Sequence, residues 1–240
     1  MSYYESALLG RTEVAQGTMA FRFERPSDFM FKAGQYIDLT VSDDQYAPSQ
    51  RLTHTFSIAS SPCERDLVVT TRMLNTVFKQ ALSNLPIGSR AQIEGPMGSF
   101  VLHNNSAKPA IFLAGGIGIA PFLSMLTYAT GEGFRHSIVL FYANRCLPDA
   151  AFLDNLQKLE RANPRFRFVP TFTRMPSDND GWKGKTGHIS SEMLFTEVTT
   201  TRGPIYYIAG PPTMVAAMRR TLGEVGVDED DIRTEEFAGY

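Results

Sequence analysis

Cysteine is scarce in this sequence: there are two in 240 residues, Cys63 and Cys146, far apart and in no metal-ligand spacing. That excludes a disulfide framework and a zinc site. An iron–sulfur cluster takes four thiolates, so this chain alone cannot hold one. No metal is expected, and the cysteine usage fits a reducing cytoplasm. An excess of one charge is also missing. The 23 Lys and Arg against 25 Asp and Glu leave a formal net charge of -2, which excludes a basic surface of the kind that holds nucleic acid. Long apolar runs are nearly absent. The exception, "AIFLAGGIGIAPFLSMLTYA" (110–129), is uncharged and long enough to cross a bilayer as a helix. Gly115, Gly116, Gly118 and Pro121 interrupt it in the middle. It reads as a buried strand, a glycine turn and a helix, not a membrane span. The N-terminus "MSYYESALLG" has no basic segment leading into an apolar one, so no signal peptide is expected. What remains is an ordinary soluble composition, 43% hydrophobic, enough for one large domain or two smaller ones.

The two halves differ in rhythm. In the first, short strand-like runs bounded by Pro, Gly or Ser follow at close spacing: two within 4–26 around a turn at Gln16-Gly17, then Tyr36 to Val41, Thr55 to Ile58, 67–74 and 90–95. That pattern predicts a barrel or sandwich. One helix interrupts it, capped by Thr76 and apolar at Val77, Phe78, Ala81, Leu82 and Leu85. In the second half, apolar runs at 110–115, 137–143, 166–172 and 204–210 alternate with helical patterns over Phe122–Thr130, Ala150–Ala162 and Pro212–Val225. Strands alternating with helices predict a parallel sheet. The polar seam "HNNSAKP" (103–109) separates the halves, giving domains of 1–104 and 105–240. "RMPSDNDGWKGKTG" (174–187) reads as a long polar loop.

Two glycine turns stand at strand ends. "AGGIGIAP" (114–121) follows a strand and opens a helix, so its backbone can approach a pyrophosphate at a helix N-terminus. Its last member is Pro121 where the common dinucleotide fingerprint has Gly or Ala. Proline suits the first helical turn. "IAGPPTM" (208–214) repeats the arrangement, and in an open α/β sheet both turns face one crevice. Taken singly, each turn is equally consistent with tight packing; the pair favours phosphate binding.

With these residues the chain resembles the ferredoxin–NADP reductase family over nearly its whole length. The resemblance implies an antiparallel Greek-key β-barrel that binds FAD, followed by an α/β parallel-sheet domain that binds NAD(P)H. "HTFS" (54–57) matches the family's Arg-x-Tyr/Phe-Ser, with His54 in the place of the arginine that binds the FAD pyrophosphate. By the resemblance Phe56 lies against the isoalloxazine ring and Ser57 faces its reactive edge, and Thr55, just before them, also belongs to the FAD site. On the strand itself Phe56 or Ser57, but not both, is expected to face inward. A histidine of ordinary pKa is largely neutral at pH 7, so FAD retention is expected to be weak or pH-dependent, offset by Arg51 or Arg72. "TTRMLNTVFKQAL" matches the second flavin segment, implying roles for Thr71, Arg72, Thr76 and the Val77 N–H. "GIGIAP" resembles the family's dinucleotide turn, and "AGPPTM" its Cys-Gly-x-x-x-Met, with Ala209 for the cysteine. These imply that Gly115, Gly116, Gly118, Pro121, Gly210, Pro211 and Met214 hold NAD(P). "EEFAGY" resembles the closing Glu-x-aromatic. It implies that Phe237 covers the second flavin face and that Glu235 is the nearby carboxylate, catalytic together with Ser57. Tyr240 is the alternative aromatic, against adenine.

At the end of the second parallel strand no acid appears before Asp149, while Arg145, with Arg174, is available for a 2′-phosphate. This favours NADPH over NADH; the alternative is that both arginines are simply solvated. The resemblance implies a monomeric reductase that moves a hydride between NAD(P)H and FAD. Its electrons then pass to a separate ferredoxin, flavodoxin or oxygenase component. Two alternatives stay open: a flavin-binding electron-transfer or regulatory module with little turnover, and a ferric, flavin or quinone reductase.

Overall fold

The computed structural model describes residues 2–43, 47–175, 182–198 and 203–237. The first half is antiparallel. Strands β1 (Tyr3–Ala15), β2 (Thr18–Glu24), β3 (Tyr36–Asp43), β4 (Ala47–Ser57), β5 (Asp66–Arg72) and β6 (Arg90–Met97) form one six-stranded sheet in the order β4-β3-β6-β1-β2-β5. The insertion of β6 between β3 and β1 is the Greek-key step. A bridge between Ile58 and Val69 joins the β4 end to β5, so the sheet closes on itself and leaves few free edges. β1 makes the closure possible. Its first part pairs with β6 and its second with β2, with a register shift between Leu8 and Gly10 that lets the strand bend. Period-two alternation fills the barrel. Ile37, Leu39 and Val41 of β3 meet Phe21 and Phe23 of β2 and Leu67 and Val69 of β5, all fully buried. Helix α1 (Val77–Asn84) closes one end with Ala81 and Leu82.

The second half is a parallel sheet of β7 (Ala110–Gly115), β8 (Ile138–Asn144), β9 (Phe166–Phe172), β10 (Lys185–Thr186), β11 (Ile205–Gly210) and β12 (Ile232–Glu236), in the order β10-β9-β8-β7-β11-β12. Its helices are α2 (Ile119–Gly131), α3 (Leu153–Ala162), α4 (Ser191–Glu197) and α5 (Pro212–Glu224). Alternate residues of β7 serve opposite faces. Phe112 and Ala114 pack on Phe122 and Leu126 of α2 and Leu156 of α3, while Ile111 and Leu113 pack with Leu194 of α4 and Val215 of α5. Every residue of β7 and β11 is therefore buried, as expected of strands covered on both faces. The order runs outward from β7 in two directions, so the chain reverses between β7 and β11. The crevice for a ligand opens at the carboxyl ends of those two strands, where both glycine turns lie.

Several elements depart from the sequence reading. Helix α2 begins at Ile119 rather than Phe122, because Pro121 sits in its first turn, where no N–H is required. Helix α3 begins at Leu153 rather than Ala150: Leu147–Asp149 forms a 3-10 turn and Phe152 is left-handed, with φ 60°. Helix α4 was not anticipated; Ser190 caps it by accepting from the Met193 N–H. Within the expected polar loop, Lys185–Thr186 adds a short strand to β9 and Trp182 packs edge-on against Phe172; residues 176–181 lie outside the described residues. Of Phe56 and Ser57, only Phe56 faces into the barrel, as expected, yet both are buried, because the second domain covers the outer face of β4. No helix among the described residues is long and apolar enough to cross a membrane.

The segment between the halves is pinned to the parallel sheet. The buried Tyr207 hydroxyl of β11 accepts the His103 N–H at 2.8 Å and the Arg233 guanidinium at 3.1 Å. Arg233, from β12, also donates to the Val101 carbonyl at 2.9 Å. Removing that oxygen strands a main-chain donor, at about 1–3 kcal/mol. Tyr207→Phe is expected to lower unfolding stability by that amount in urea titrations. A loss below about 0.5 kcal/mol would show that the clamp contributes little.

Candidate active site

Two cavities flank the turn between β7 and α2. The first lies against the barrel. The end of β4 contributes His54, Thr55, Phe56 and Ser57; the end of β5 contributes Thr70, Thr71 and Arg72; α1 contributes Lys79. The opposite wall comes from the second domain: Ile117, Ala120 and Phe237. Its volume is about 40 Å³. Phe56, His54 and Phe78 form one aromatic cluster, with ring centroids 4.9–5.7 Å apart. His54 keeps much of its surface in solvent. Even so, the partial burial of its ring pushes its pKa down; the Lys79 charge adds to this and Asp38 opposes it. Asp38 is itself bonded to the Thr55 hydroxyl. Arg72 forms a 3.7 Å ion pair with Asp149 across the domain boundary. Arg51 lies outside the cavity lining and bonds Gln92.

Thr76 caps α1 by accepting from the Lys79 N–H at 3.3 Å, and Val77 is half exposed. Neither side chain lines the cavity; the helix instead presents Lys79, which the sequence reading did not single out. The same reasoning missed Thr70, whose buried hydroxyl has no partner among the described residues. Alternation with the core residues Leu67 and Val69 puts Thr70 on the outer face of β5, so its burial carried no local signal. Tyr240 lies outside the described residues.

At the mouth of this cavity Ser57 donates to Glu235 at 3.2 Å, joining β4 to β12. Burial pushes the Glu235 carboxyl up to about 7, against the opposing effect of the Ser57 hydrogen bond. The Phe237 N–H donates to the Gly210 carbonyl at 3.1 Å, which holds the terminal aromatic over the cavity.

The second cavity, about 510 Å³, opens at the crevice between β7 and β11. Gly115, Gly116, Arg145, Arg174, Pro211 and Met214 line it, as expected, and His188 and Thr213 join them. The Arg174 N–H donates to the Arg145 carbonyl at 2.7 Å, which sets the two arginines side by side. Gly116 has φ +54°, a conformation glycine adopts at no steric cost. Gly118, Pro121 and Gly210 pack behind the cavity rather than lining it. A Cβ on Gly118 would lie 2.3 Å from the Ala209 carbonyl, so this glycine permits close helix–strand packing. Neither α2 nor α5 has an acid in its first turn, which leaves both helix ends electropositive. One short turn therefore separates the cavities, with Gly115 and Gly116 facing one and Ile117 and Ala120 the other.

Residues 5–102 match the model of the oxidoreductase FAD-binding domain and residues 112–220 that of the oxidoreductase NAD-binding domain. The chain is 28% identical to the phenol hydroxylase P5 protein of Acinetobacter pittii, over 98% of this chain and 65% of that protein. It therefore spans just under two thirds of that relative. It is 27% identical to ferredoxin–NADP reductase B of Sorangium cellulosum, over 98% of this chain and 97% of that protein. Among solved structures, the Amycolatopsis cytochrome P450 reductase superposes with a TM-score of 0.83 at 22% identity, covering 98% of this chain and 70% of that one. A ferredoxin NADP+ reductase from Neisseria gonorrhoeae gives 0.81 at 22% identity, covering 98% of both chains. These likenesses establish the fold.

The raised Glu235 carboxyl makes a pH prediction. The native group holds its proton more tightly than the ordinary carboxylate value of 4.5 allows in the unfolded chain. Its contribution is therefore complete below about pH 4.5 and is lost as pH rises to about 7. The loss is on the order of 1–3 kcal/mol after allowance for partial exposure. Glu235→Gln is expected to abolish this component, so wild type and variant diverge in urea stability across that window. Parallel profiles would mean that the carboxyl titrates normally.

Proposed function

We propose, from the premise that this chain belongs to the ferredoxin–NADP reductase-like family of FAD- and NAD-binding oxidoreductases, that it is a flavin-dependent reductase. It takes a hydride from NAD(P)H onto FAD and passes electrons to a separate acceptor. The observation that carries this reading is that the two cavities lie on either side of one turn, with Ser57 of the first cavity bonded to Glu235 of β12. The domains are taken as 1–104 for FAD and 105–240 for NAD(P).

The first cavity fits a flavin by its donor set. It presents an aromatic wall at Phe56, a hydroxyl at Ser57, an unpartnered Thr70 hydroxyl, and the ammonium of Lys79. When bound, FAD supplies the two-electron chemistry and the protein orients it. Phe56 and Phe237 would hold the ring system from opposite sides, with Phe237 moving outward on its short terminal segment to admit it. Thr71, Thr76, the Val77 N–H and Arg72 would serve the rest of that cofactor. Ser57 places its hydroxyl at the reactive edge. Glu235, whose carboxyl is pushed up to about 7, would exchange its proton with solvent on its open side and share it with the buried Ser57 Oγ on the other.

The second cavity takes the dinucleotide. Gly115, Gly116 and Pro211 let the backbone approach its phosphates, Met214 packs beside them, and the electropositive starts of α2 and α5 favour the charge. Gly118, Pro121 and Gly210 keep the turns close enough to do so. Arg145 and Arg174 face the end that would carry a 2′-phosphate, and Asp149, the acid closest to Arg145 in sequence, is engaged by Arg72. This favours NADPH. The acceptor is an oxygenase component or a small redox protein, supported by relatives named as a phenol hydroxylase component and a ferredoxin–NADP reductase.

Purified protein is expected to be yellow and to bleach without air on adding NADPH. A yellow protein that stays oxidised would point to a binding module instead. For the dinucleotide, Arg145→Ala combined with Arg174→Ala is expected to raise the KM for NADPH about 10-fold or more, the effect of one or two charged hydrogen bonds, and to leave NADH turnover unchanged. Steady-state rates with both dinucleotides measure this; an equal effect on both would remove the basis for the preference.

A further inference from the structure

The barrel cavity holds a cation in a position that the protein alone does not explain. Lys79 is 6% exposed, although lysine is almost never buried unpaired. Among the described residues no carboxylate reaches it within ion-pair distance and no hydrogen bond satisfies its Nζ. Burial pushes its pKa down, with no acid offsetting that effect. Its place on α1 compounds the cost. Thr76 is the N-cap and Lys79 lies three residues on, in the first turn, where the helix already carries partial positive charge. No acid stands in that turn. The ammonium and the helix end thus add their potentials at one point of the cavity wall.

A second, independent group faces the same cavity. Thr70, on β5, is 6% exposed, and its hydroxyl has no partner. Two polar groups from separate elements, the Lys79 ammonium and the Thr70 hydroxyl, therefore line this cavity without protein partners. The other basic groups nearby are committed. Arg72 shares its charge with Asp149. His54 is packed on Phe56 and Phe78, and its pKa is pushed below the usual imidazole range.

We propose that Lys79, assisted by the Thr70 hydroxyl, is the group that receives the negatively charged diphosphate of the flavin dinucleotide in this chain. The fixed positive charge expected on β4, where His54 stands, has moved to α1. The inference rests on the reading that this cavity binds FAD. An anionic diphosphate supplies the counter-charge that Lys79 lacks, and a charge-assisted hydrogen bond of that kind is among the stronger polar contacts a protein makes.

The test uses the full chain, freed of cofactor, as wild type, Lys79→Met, Lys79→Arg and Lys79→Met combined with His54→Arg. Each is titrated with FAD and with riboflavin, which lacks phosphate, at low and high salt. Lys79→Met keeps the length of the stem and removes the charge. It is expected to weaken FAD binding at least 10-fold, to reduce the salt dependence, and to leave riboflavin binding unchanged. Lys79→Arg is expected to retain FAD affinity, and the double variant to regain most of it. The cofactor-free Lys79→Met protein is expected to melt at or above the wild-type temperature, because an uncompensated buried charge is gone. Wild-type FAD affinity in Lys79→Met overturns the proposal and leaves the flavin reading standing. Equal weakening of FAD and riboflavin, or a clear drop in melting temperature, assigns Lys79 a packing role and also overturns it. Failure of wild type to bind either flavin removes the reading of the cavity, and the proposal with it.

Discussion

The site depends on a fixed placement of the barrel against the parallel sheet, and a small polar knot fixes it. The Tyr207 hydroxyl gathers the His103 N–H and the Arg233 guanidinium, and Arg233 continues to the Val101 carbonyl. Two strands and the interdomain segment thus converge on one buried oxygen. Because Tyr207 is on β11 and Arg233 on β12, the knot holds the connecting chain to the two strands whose far ends carry Gly210 and Glu235. The 3.2 Å Ser57–Glu235 contact and the Arg72–Asp149 pair are downstream of that registration. Each needs side chains from both halves to arrive within hydrogen-bonding or ion-pairing reach.

Charge is distributed in the site with some economy. The barrel cavity is lined by two cations, Arg72 of β5, paired with Asp149, and Lys79 of α1. The dinucleotide cavity carries its positive charge on paired arginines at the ends of β8 and β9. The acids are kept out of the way: Asp149 is turned toward Arg72, Asp38 toward Thr55, and Glu235 is held near its protonated form by burial. With the nearby acids so placed, the cavity walls repel little anionic charge.

Much of this was legible in the sequence, for identifiable reasons. The alternation of Ile37, Leu39 and Val41, the doubly apolar "AIFLAG" and "IYYIAG", and the glycine turns that follow these strands are local signals, and they placed both sheets and the crevice. The residues from His54 to Ser57 and the pair Glu235 and Phe237 were named through the family resemblance, and the structure brings Ser57 and Glu235 into contact and Phe237 against the same cavity. Missed features were those decided at a distance. Ser57 faces outward from the barrel, so its burial depends on a carboxylate from the far end of the chain. Lys79 reads as a solvated helix residue until β4 and β5 are seen to close around it. Helix α4 is short and weakly periodic, and its cap at Ser190 is one serine among several polar residues. Gly118 illustrates the opposite error. It belongs to a phosphate-type pattern, yet its bareness is demanded by the Ala209 carbonyl behind it.

The turn between β7 and α2 is a partition with a tenant on either side. Gly115 and Gly116 form one surface of it and Ile117 and Ala120 the other, within six consecutive residues. A party wall so thin cannot shift for one occupant without being felt by the other. By whatever factor one guest changes its neighbour's affinity, the neighbour returns the change in equal measure. Reciprocity between the two ligands is thus a property of the wall itself and requires no messenger residue between them.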